Sequence, residues 1–223
     1  MPATETAKPS ALVPLLLVLS ATTGLVDAVS VLGLGKVFTA NMTGNVVLLG
    51  FSLAGVPGFA WQPYVLAIAL FALGAALAGR IGNAHAGQGT RAWLLRVAGV
   101  ETLLLWIAAA TALAYDPAHL SPEWRMYCII GVTAVAMGLR NATIRQLKVP
   151  DLTTTVLTLT ITGLAADSSA AGGANPNWIR RLGAVAAMLA GATVGALLVM
   201  NYGLALPLVV AGAVGLAATV LLA

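Results

Sequence analysis

Asp27 is the residue whose type and place most call for chemistry. It stands in "GLVDAVSVLGLG" (Gly24–Gly35), inside an apolar run, where a carboxylate costs roughly 2.5–3.5 kcal/mol to insert into a bilayer. A carboxylate held there can carry a proton, bind a substrate amine or pair with a buried cation. Shortly after it, "FTANMTGN" (Phe38–Asn45) supplies Asn41, Thr43 and Asn45, and about half the chain later "DLTTTVLTLT" (Asp151–Thr160) supplies Thr154, Thr155 and Thr158. Amides and hydroxyls can satisfy the backbone where a helix turns or breaks inside a membrane, and broken helices are where secondary transporters bind solutes and ions. The candidate substrate-binding residues are therefore Asp27, Asn41, Thr43, Asn45, Asn141, Thr154, Thr155 and Thr158. Gly24 and Gly44 suit a backbone turn or a close helix crossing. The competing explanation is structural: Thr and Asn bond helices together at about 0.6 kcal/mol each, and Asp27 pairs with Arg140.

The elements that must position these residues follow from composition. The chain of 223 residues is 60% hydrophobic and only 8% charged, with a mean hydropathy of +0.96. A soluble domain of this length needs far more polar cover, whereas a bilayer reverses the requirement. The apolar runs are continuous and do not alternate, which excludes a β-barrel. The fold class is all-α, a polytopic transmembrane helical bundle forming a single integral membrane domain over 1–223. Apolar segments are Ala11–Leu34, Val37–Gly55, Trp61–Ile81, Ala92–Ala114, Met126–Leu147, Leu152–Ala166, Leu182–Asn201 and Leu204–Ala223. A helix needs about 20 apolar residues to cross, and the two segments that carry the polar clusters fall short or barely reach it. The N-terminal run continues past Gly24 without a convincing cleavage site, so it reads as a retained first helix.

Two halves, 11–114 and 125–223, resemble each other in order and spacing. "GLVDA" (Gly24–Ala28) aligns with "GLRNA" (Gly138–Ala142), the two polar clusters follow, and "LGAALAG" (Leu73–Gly79) parallels "AGATVGA" (Ala190–Ala196). If all eight segments cross, with the N-terminus outside, the cytoplasmic side holds 7 of the lysines and arginines against 4 outside. If the polar segments only enter and return, with the N-terminus inside, the division becomes 9 against 2. The positive-inside rule thus favours six full spans plus two broken or re-entrant elements in an inverted repeat over eight spans in a parallel one.

Other residues carry less. Glu101 is expected to pair locally with Arg96 or to sit at an edge, while Arg140 and Arg145 read as cytoplasmic anchors or as attractors of an anionic solute. Cys128 reads as a small buried hydrophobe, and Trp61, Trp93, Trp124 and Trp178 read as interface anchors. Gly74/Ala78, Ala75/Gly79 and Gly191/Gly195 are small-residue faces for helix contacts within the chain or in a homo-oligomer. No metal-ligand spacing, nucleophile elbow or phosphate loop occurs, so no cofactor, metal or enzymatic activity is expected. The basic balance reflects loop retention and points to no nucleic acid partner.

Gly24–Gly50 and Gly138–Asp167, with their Asp-Ala, Asn-x-Thr-Gly-Asn and Thr-Thr-x-x-Thr patterns, resemble the YoaK-type family of bacterial integral membrane proteins, defined around a domain of unknown function. The resemblance covers nearly the whole chain. It implies a multi-pass protein of the bacterial plasma membrane and supplies no mechanism. Two function classes remain. One is a small secondary transporter or channel for an unknown small solute or ion, with a midplane site at Asp27 and the two clusters. The other is a non-transporting scaffold or lipid-interacting subunit in which the same residues only hold helices together.

Overall fold

The computed structural model describes residues 12–84, 90–147 and 157–223. Among these residues lie eight α-helices: α1 (Val13–Gly33), α2 (Met42–Leu53), α3 (Trp61–Ala84), α4 (Thr90–Ala112), α5 (Glu123–Leu147), α6 (Leu157–Ala166), α7 (Trp178–Tyr202) and α8 (Ala205–Leu222). Six are long and apolar enough to cross a bilayer. At 1.5 Å per residue α1 reaches about 31 Å and α8 about 27 Å, against a hydrocarbon core of about 30 Å. Helices α2 and α6 have 12 and 10 residues, giving about 18 and 15 Å, half the thickness. Eight full crossings therefore fail on length.

Helix α1 begins with a proline in its first turn, where the missing N–H costs nothing. It stops at Gly33, and the chain then reverses through two successive left-handed residues, Gly35 (φ 80°) and Lys36 (φ 64°). Glycine adopts this conformation freely, whereas Lys36 is strained by about 1–2 kcal/mol. Its ammonium lies 5.0 Å from the centre of the Phe59 ring, a cation–π contact that offsets part of that strain. The segment Val37–Gly55, expected to be a broken or re-entrant element, turns helical only at Met42. Residues 37–41 precede the helix, and side chains instead of a helical ladder take up part of their backbone.

The bundle centre is α1 and α5, whose membrane windows are 67% buried, against 39% for α4 and α8 and 17% for α3 and α7. Helix α1 packs along α7 and α5 along α3, while α4 and α8 pack on each other and on the central pair. Glycines set the two closest crossings. A Cβ on Gly24 would meet the Met188 carbonyl oxygen at 2.3 Å, and one on Gly191 the Ala21 oxygen at 1.8 Å. In the other crossing, Gly138 faces the Phe71 oxygen at 2.1 Å and Gly74 the Val135 oxygen at 2.2 Å. Backbones can touch in this way only where no side chain intervenes. The two crossings match contact for contact along the aligned halves.

One end of the bundle gathers the end of α1, the start of α3 and the α4–α5 loop around a cavity of about 740 Å³ lined by Gly35, Phe59, Gln62, His119, Glu123 and Tyr127. The Tyr115 hydroxyl ties that loop to α1 by donating to the Gly33 carbonyl at 3.1 Å. Burial, with Asp116 adding to it, pushes this phenol up to about 12, so it remains a donor across the physiological range. The opposite end gathers Leu12 and Leu15 of α1, Leu94 of α4, Ile144 of α5, Ala184 of α7 and Ala218 of α8. Helix α1 thus leaves where α3 enters, and the chain between them, α2 included, returns to the side it came from. Likewise α5 ends where α7 starts.

Trp61, Trp124 and Trp178 are exposed near helix ends, as interface anchors are, but Trp93 is buried against Leu94 and Val97. Cys128 is only half-buried, so the expectation of a buried hydrophobe is corrected.

Two outcomes test this architecture. In a Cys128→Ala background, single cysteines at Lys36 and Ala60 should react with an impermeant maleimide from the same membrane face, and Asn175→Cys from the other. Opposite labelling of Lys36 and Ala60 would mean that α2 crosses. Gly191→Val should destabilise the protein by about 1–3 kcal/mol through overpacking, whereas Gly79→Val, which has nothing within 4 Å of the added carbon, should be near neutral in a denaturant titration.

Candidate functional site

Asp27 lies on α1, about 9 Å from its end at 1.5 Å per residue, and is 6% exposed. It does not pair with Arg140. One carboxylate oxygen accepts the Ala40 backbone N–H at 3.0 Å, and the other accepts the side-chain amide of Asn41. Asn41 is the residue that precedes α2, and its side chain makes no cap on that helix. The carboxylate itself sits at the approach to the N-terminus of α2, where the positive end of the helix dipole favours an anion.

Asn45, fully buried, completes the arrangement from inside α2. Its side-chain oxygen accepts the Phe38 N–H at 2.9 Å and its amide donates to the Phe38 carbonyl at 2.6 Å. An asparagine amide copies a peptide group, so this pair replaces the two backbone bonds that Phe38 lacks outside a helix. Gly44 has to be small because a Cβ there would meet the Phe38 ring at 2.7 Å. The motif Phe38–Asn45 is thus a clasp that returns the chain into the bundle and starts a half-helix at membrane depth. Thr43 is exposed on α2. Thr39, absent from the candidates, is instead fully buried, and its hydroxyl has no partner among the described residues.

The second cluster is less fully described. Thr154 and Thr155 lie outside the described residues, and Thr158 is exposed on α6. Asn141 is half-buried on α5 and donates to the Met137 carbonyl at 2.8 Å. Gly24 serves the α1–α7 crossing and is not a turn.

Arg140 and Glu101 correct the sequence-based expectation most. Arg140 is 1% exposed and Glu101 is 5% exposed, so neither is an edge residue or a cytoplasmic anchor. The Arg140 Nε donates to both Glu101 oxygens at 3.1 Å, and a terminal nitrogen donates to Oε1. The other terminal nitrogen donates to the Leu19 carbonyl at 3.2 Å and the Thr23 hydroxyl at 3.0 Å. Glu101 is about 16 Å from the start of α4 and Arg140 about 10 Å from the end of α5, so the pair lies within the hydrocarbon. Excluding Arg140 from the loop charges leaves 8 against 2, and the topology inference is unchanged. A cavity of about 20 Å³ adjoins the pair. Sequence offered only one signal for this pairing: two opposite charges inside apolar runs. Among the described residues no three His, Cys, Asp or Glu side chains gather as metal ligands would.

With this geometry in hand, the comparisons with known proteins place the chain. The family model described as "Protein of unknown function (DUF1275)" matches residues 15–221, and the chain belongs to that family. It is 30% identical over 158 residues to the UPF0700 transmembrane protein YoaK of Bacillus subtilis (strain 168), covering 70% of this chain and 66% of that protein. The match thus spans just under two thirds of that relative's length. No solved structure matches the chain significantly.

Removing one partner of a buried ion pair strands the other charge, at a cost on the order of 3–5 kcal/mol. Glu101→Gln should therefore lower the melting temperature sharply, and the double variant Glu101→Gln/Arg140→Met should recover most of the loss. Equal stability of Glu101→Gln and wild type would show that the pair contributes nothing to the fold.

Proposed function

We propose that this member of the DUF1275 family is a small secondary transporter or channel of the bacterial inner membrane, with its N-terminus in the cytoplasm. The observation that supports this most is the half-helix α2, begun at membrane depth by the Asp27–Asn41 clasp. Discontinuous helices of this kind leave polar backbone beside a bundle core, and transporters use such places for solute and ion recognition. The halves 11–114 and 125–223 are taken as inverted repeats, so that α2 and α6 enter from opposite faces. The basic residues near the end of α3, the start of α4, the end of α5 and the start of α7 support a cytoplasmic position for those ends. Asp27 and Asn41 act in this reading as a latch whose opening and closing accompanies solute passage.

A second reading has its own support. Both oxygens of Asp27, the side-chain nitrogen of Asn41 and both polar atoms of the Asn45 side chain are engaged with each other or with the backbone, as a purely structural clasp requires. Neither described cavity is lined by these three residues. Under that reading the protein is a membrane scaffold or lipid-interacting subunit.

Reconstitution separates the two. Purified protein in liposomes should carry at least one member of a panel of small ions, amines, carboxylates and sugars faster than protein-free vesicles. Asp27→Asn, which keeps the shape of the side chain, should cut that flux at least tenfold with little change in melting temperature. No flux across the panel, or flux indifferent to Asp27→Asn, would favour the scaffold.

A further inference from the structure

The Arg140–Glu101 pair leaves part of its hydrogen-bonding capacity unused, and the unused part faces one small space. The Arg140 Nε hydrogen is shared between both Glu101 oxygens, and the two hydrogens on Nη1 serve the Leu19 carbonyl and the Thr23 hydroxyl. Nη2 carries two more and gives one to Glu101 Oε1. The other has no acceptor among the described residues. Nη2 is the atom that a Cβ on Gly215 would approach, at 3.5 Å, so it is turned towards α8. One turn along α5 from Arg140, the Thr143 side chain is buried, 4% exposed, and its hydroxyl also has no partner among the described residues. On α8, Thr219 donates its hydroxyl hydrogen to the Gly215 carbonyl at 2.8 Å and keeps its oxygen as an acceptor. Glu101, Arg140, Thr143, Gly215 and Thr219 all line a cavity of about 20 Å³, and its other walls are apolar side chains of α1, α4 and α5.

We propose that this space binds one water molecule, held as a fixed part of the bundle by the ion pair and the two threonines. Size, charge and hydrogen-bond count all lead to the same ligand. A water needs about 10–15 Å³ of such space and two to four polar partners, and anything larger does not fit beside the pair. Arg140 and Glu101 cancel each other's charge, so a neutral occupant leaves the balance intact, whereas an ion would bring an unanswered charge to hydrocarbon depth. A water accepts from Arg140 Nη2 and from the Thr143 hydroxyl, and donates to a Glu101 oxygen and to the Thr219 oxygen. Each group left over by the protein thereby gains a partner, and a buried polar group without one is costly. Neither member of the pair has to move or change its protonation to admit the water. Glu101 belongs to α4, Arg140 and Thr143 to α5, and Thr219 to α8, while Arg140 already bonds to α1 through Leu19 and Thr23. The water therefore completes a polar node that joins four helices at one level of the membrane. This inference stands apart from the transport reading and holds equally for a scaffold.

Two measurements on the purified full chain test the site. With labelled arginine and threonine, the Arg140 guanidinium and Thr143 side-chain protons should show magnetisation transfer to a long-lived bound water. Gly215→Ala adds a carbon at ordinary contact distance, 3.5 Å from Nη2 and 3.7 Å from Glu101 Oε1, which takes the room of the water and should abolish those signals. No signal in the wild type, or signals unchanged in Gly215→Ala, overturns the proposal. The second measurement is the melting temperature of Thr143→Val, which keeps the shape of the side chain and removes the hydroxyl. If the hydroxyl holds a water, its loss should lower the melting temperature by about 2–4 °C, as removal of one hydrogen bond does in a chain of this size. In a dry site the same change deletes an unpaired buried hydroxyl and raises the melting temperature, which also overturns the proposal. In the Gly215→Ala background, where the water has no room, Thr143→Val should no longer lower the melting temperature. A loss of equal size in both backgrounds would show that Thr143 acts without the water.

Discussion

In hydrocarbon, every backbone N–H and C=O must find a partner within the protein, and the stretch that joins α1 to α2 meets much of that demand through side chains. Leu34 N–H bonds to the Ser30 carbonyl, Gly33 accepts from Tyr115, Phe38 exchanges both its groups with Asn45, and Ala40 donates to Asp27. An unpaired buried peptide group costs several kcal/mol, so each of these side chains decides whether the chain can reverse inside the membrane at all. The energetic reason for an intramembrane carboxylate follows from this. Asp27 accepts from the orphan Ala40 N–H and from the Asn41 side-chain amide at once, and it lies by the start of α2, whose partial positive charge favours an anion.

Charge at depth is confined to a few places, and each is answered locally. Asp27 is met by backbone and amide donors, while Glu101 is met by Arg140, which also bonds to α1 through Leu19 and Thr23. The aligned halves differ here. Where "GLVDA" has Val26 and Asp27, "GLRNA" has Arg140 and Asn141. The half that carries the acid uses it to hold a re-entrant segment, and the half that carries the base uses it to join three helices. The two aligned places therefore hold different electrostatics, which gives the two ends of the bundle unequal tasks.

Much of this was legible in the sequence, and the reasons it was legible are physical. Long apolar runs and edge-placed arginines report directly on a bilayer, so six crossings and two short elements could be read from length and charge bias. Gly74 and Gly191 announced close crossings by size alone, Gly24 was read as either a turn or a crossing, and Gly138 stood only as the counterpart of Gly24. The role of "FTANMTGN" as a reversal inside the membrane followed from the rule that broken backbone needs polar company. Pairing was not legible. Asp27 and Arg140 looked complementary by charge, yet a carboxylate chooses its partner by geometry, and the Ala40 backbone N–H and the Asn41 side-chain amide, thirteen and fourteen residues along the chain, were nearer. Glu101 was assigned to Arg96 from proximity along one helix, since sequence shows near neighbours in the chain and hides those on an adjacent helix; the five-residue spacing is not the i,i+3 or i,i+4 one that brings side chains together. The direction of Thr39 against Thr43 was likewise invisible, because residue 39 precedes the helix and 43 lies within it.

Helix contacts give the ion pair a mechanical meaning as well. Backbone-to-backbone contact at Gly24 and Gly191 fuses α1 with α7, and the same contact at Gly74 and Gly138 fuses α3 with α5. Each fused pair takes one helix from either half, so the halves are interlocked and cannot separate as units. The two pairs touch each other where α1 meets α5 and through the intervening α4 and α8. Arg140 is the side chain that bridges this seam, bonded to α4 on one side and α1 on the other. Packed interfaces switch between discrete arrangements more readily than they deform continuously. A change in what Arg140 holds is therefore a change in how the two fused pairs are held together. The clasp at Asp27 acts on the same α1, nearer its far end, so both polar features bear on a single helix at the centre of the bundle.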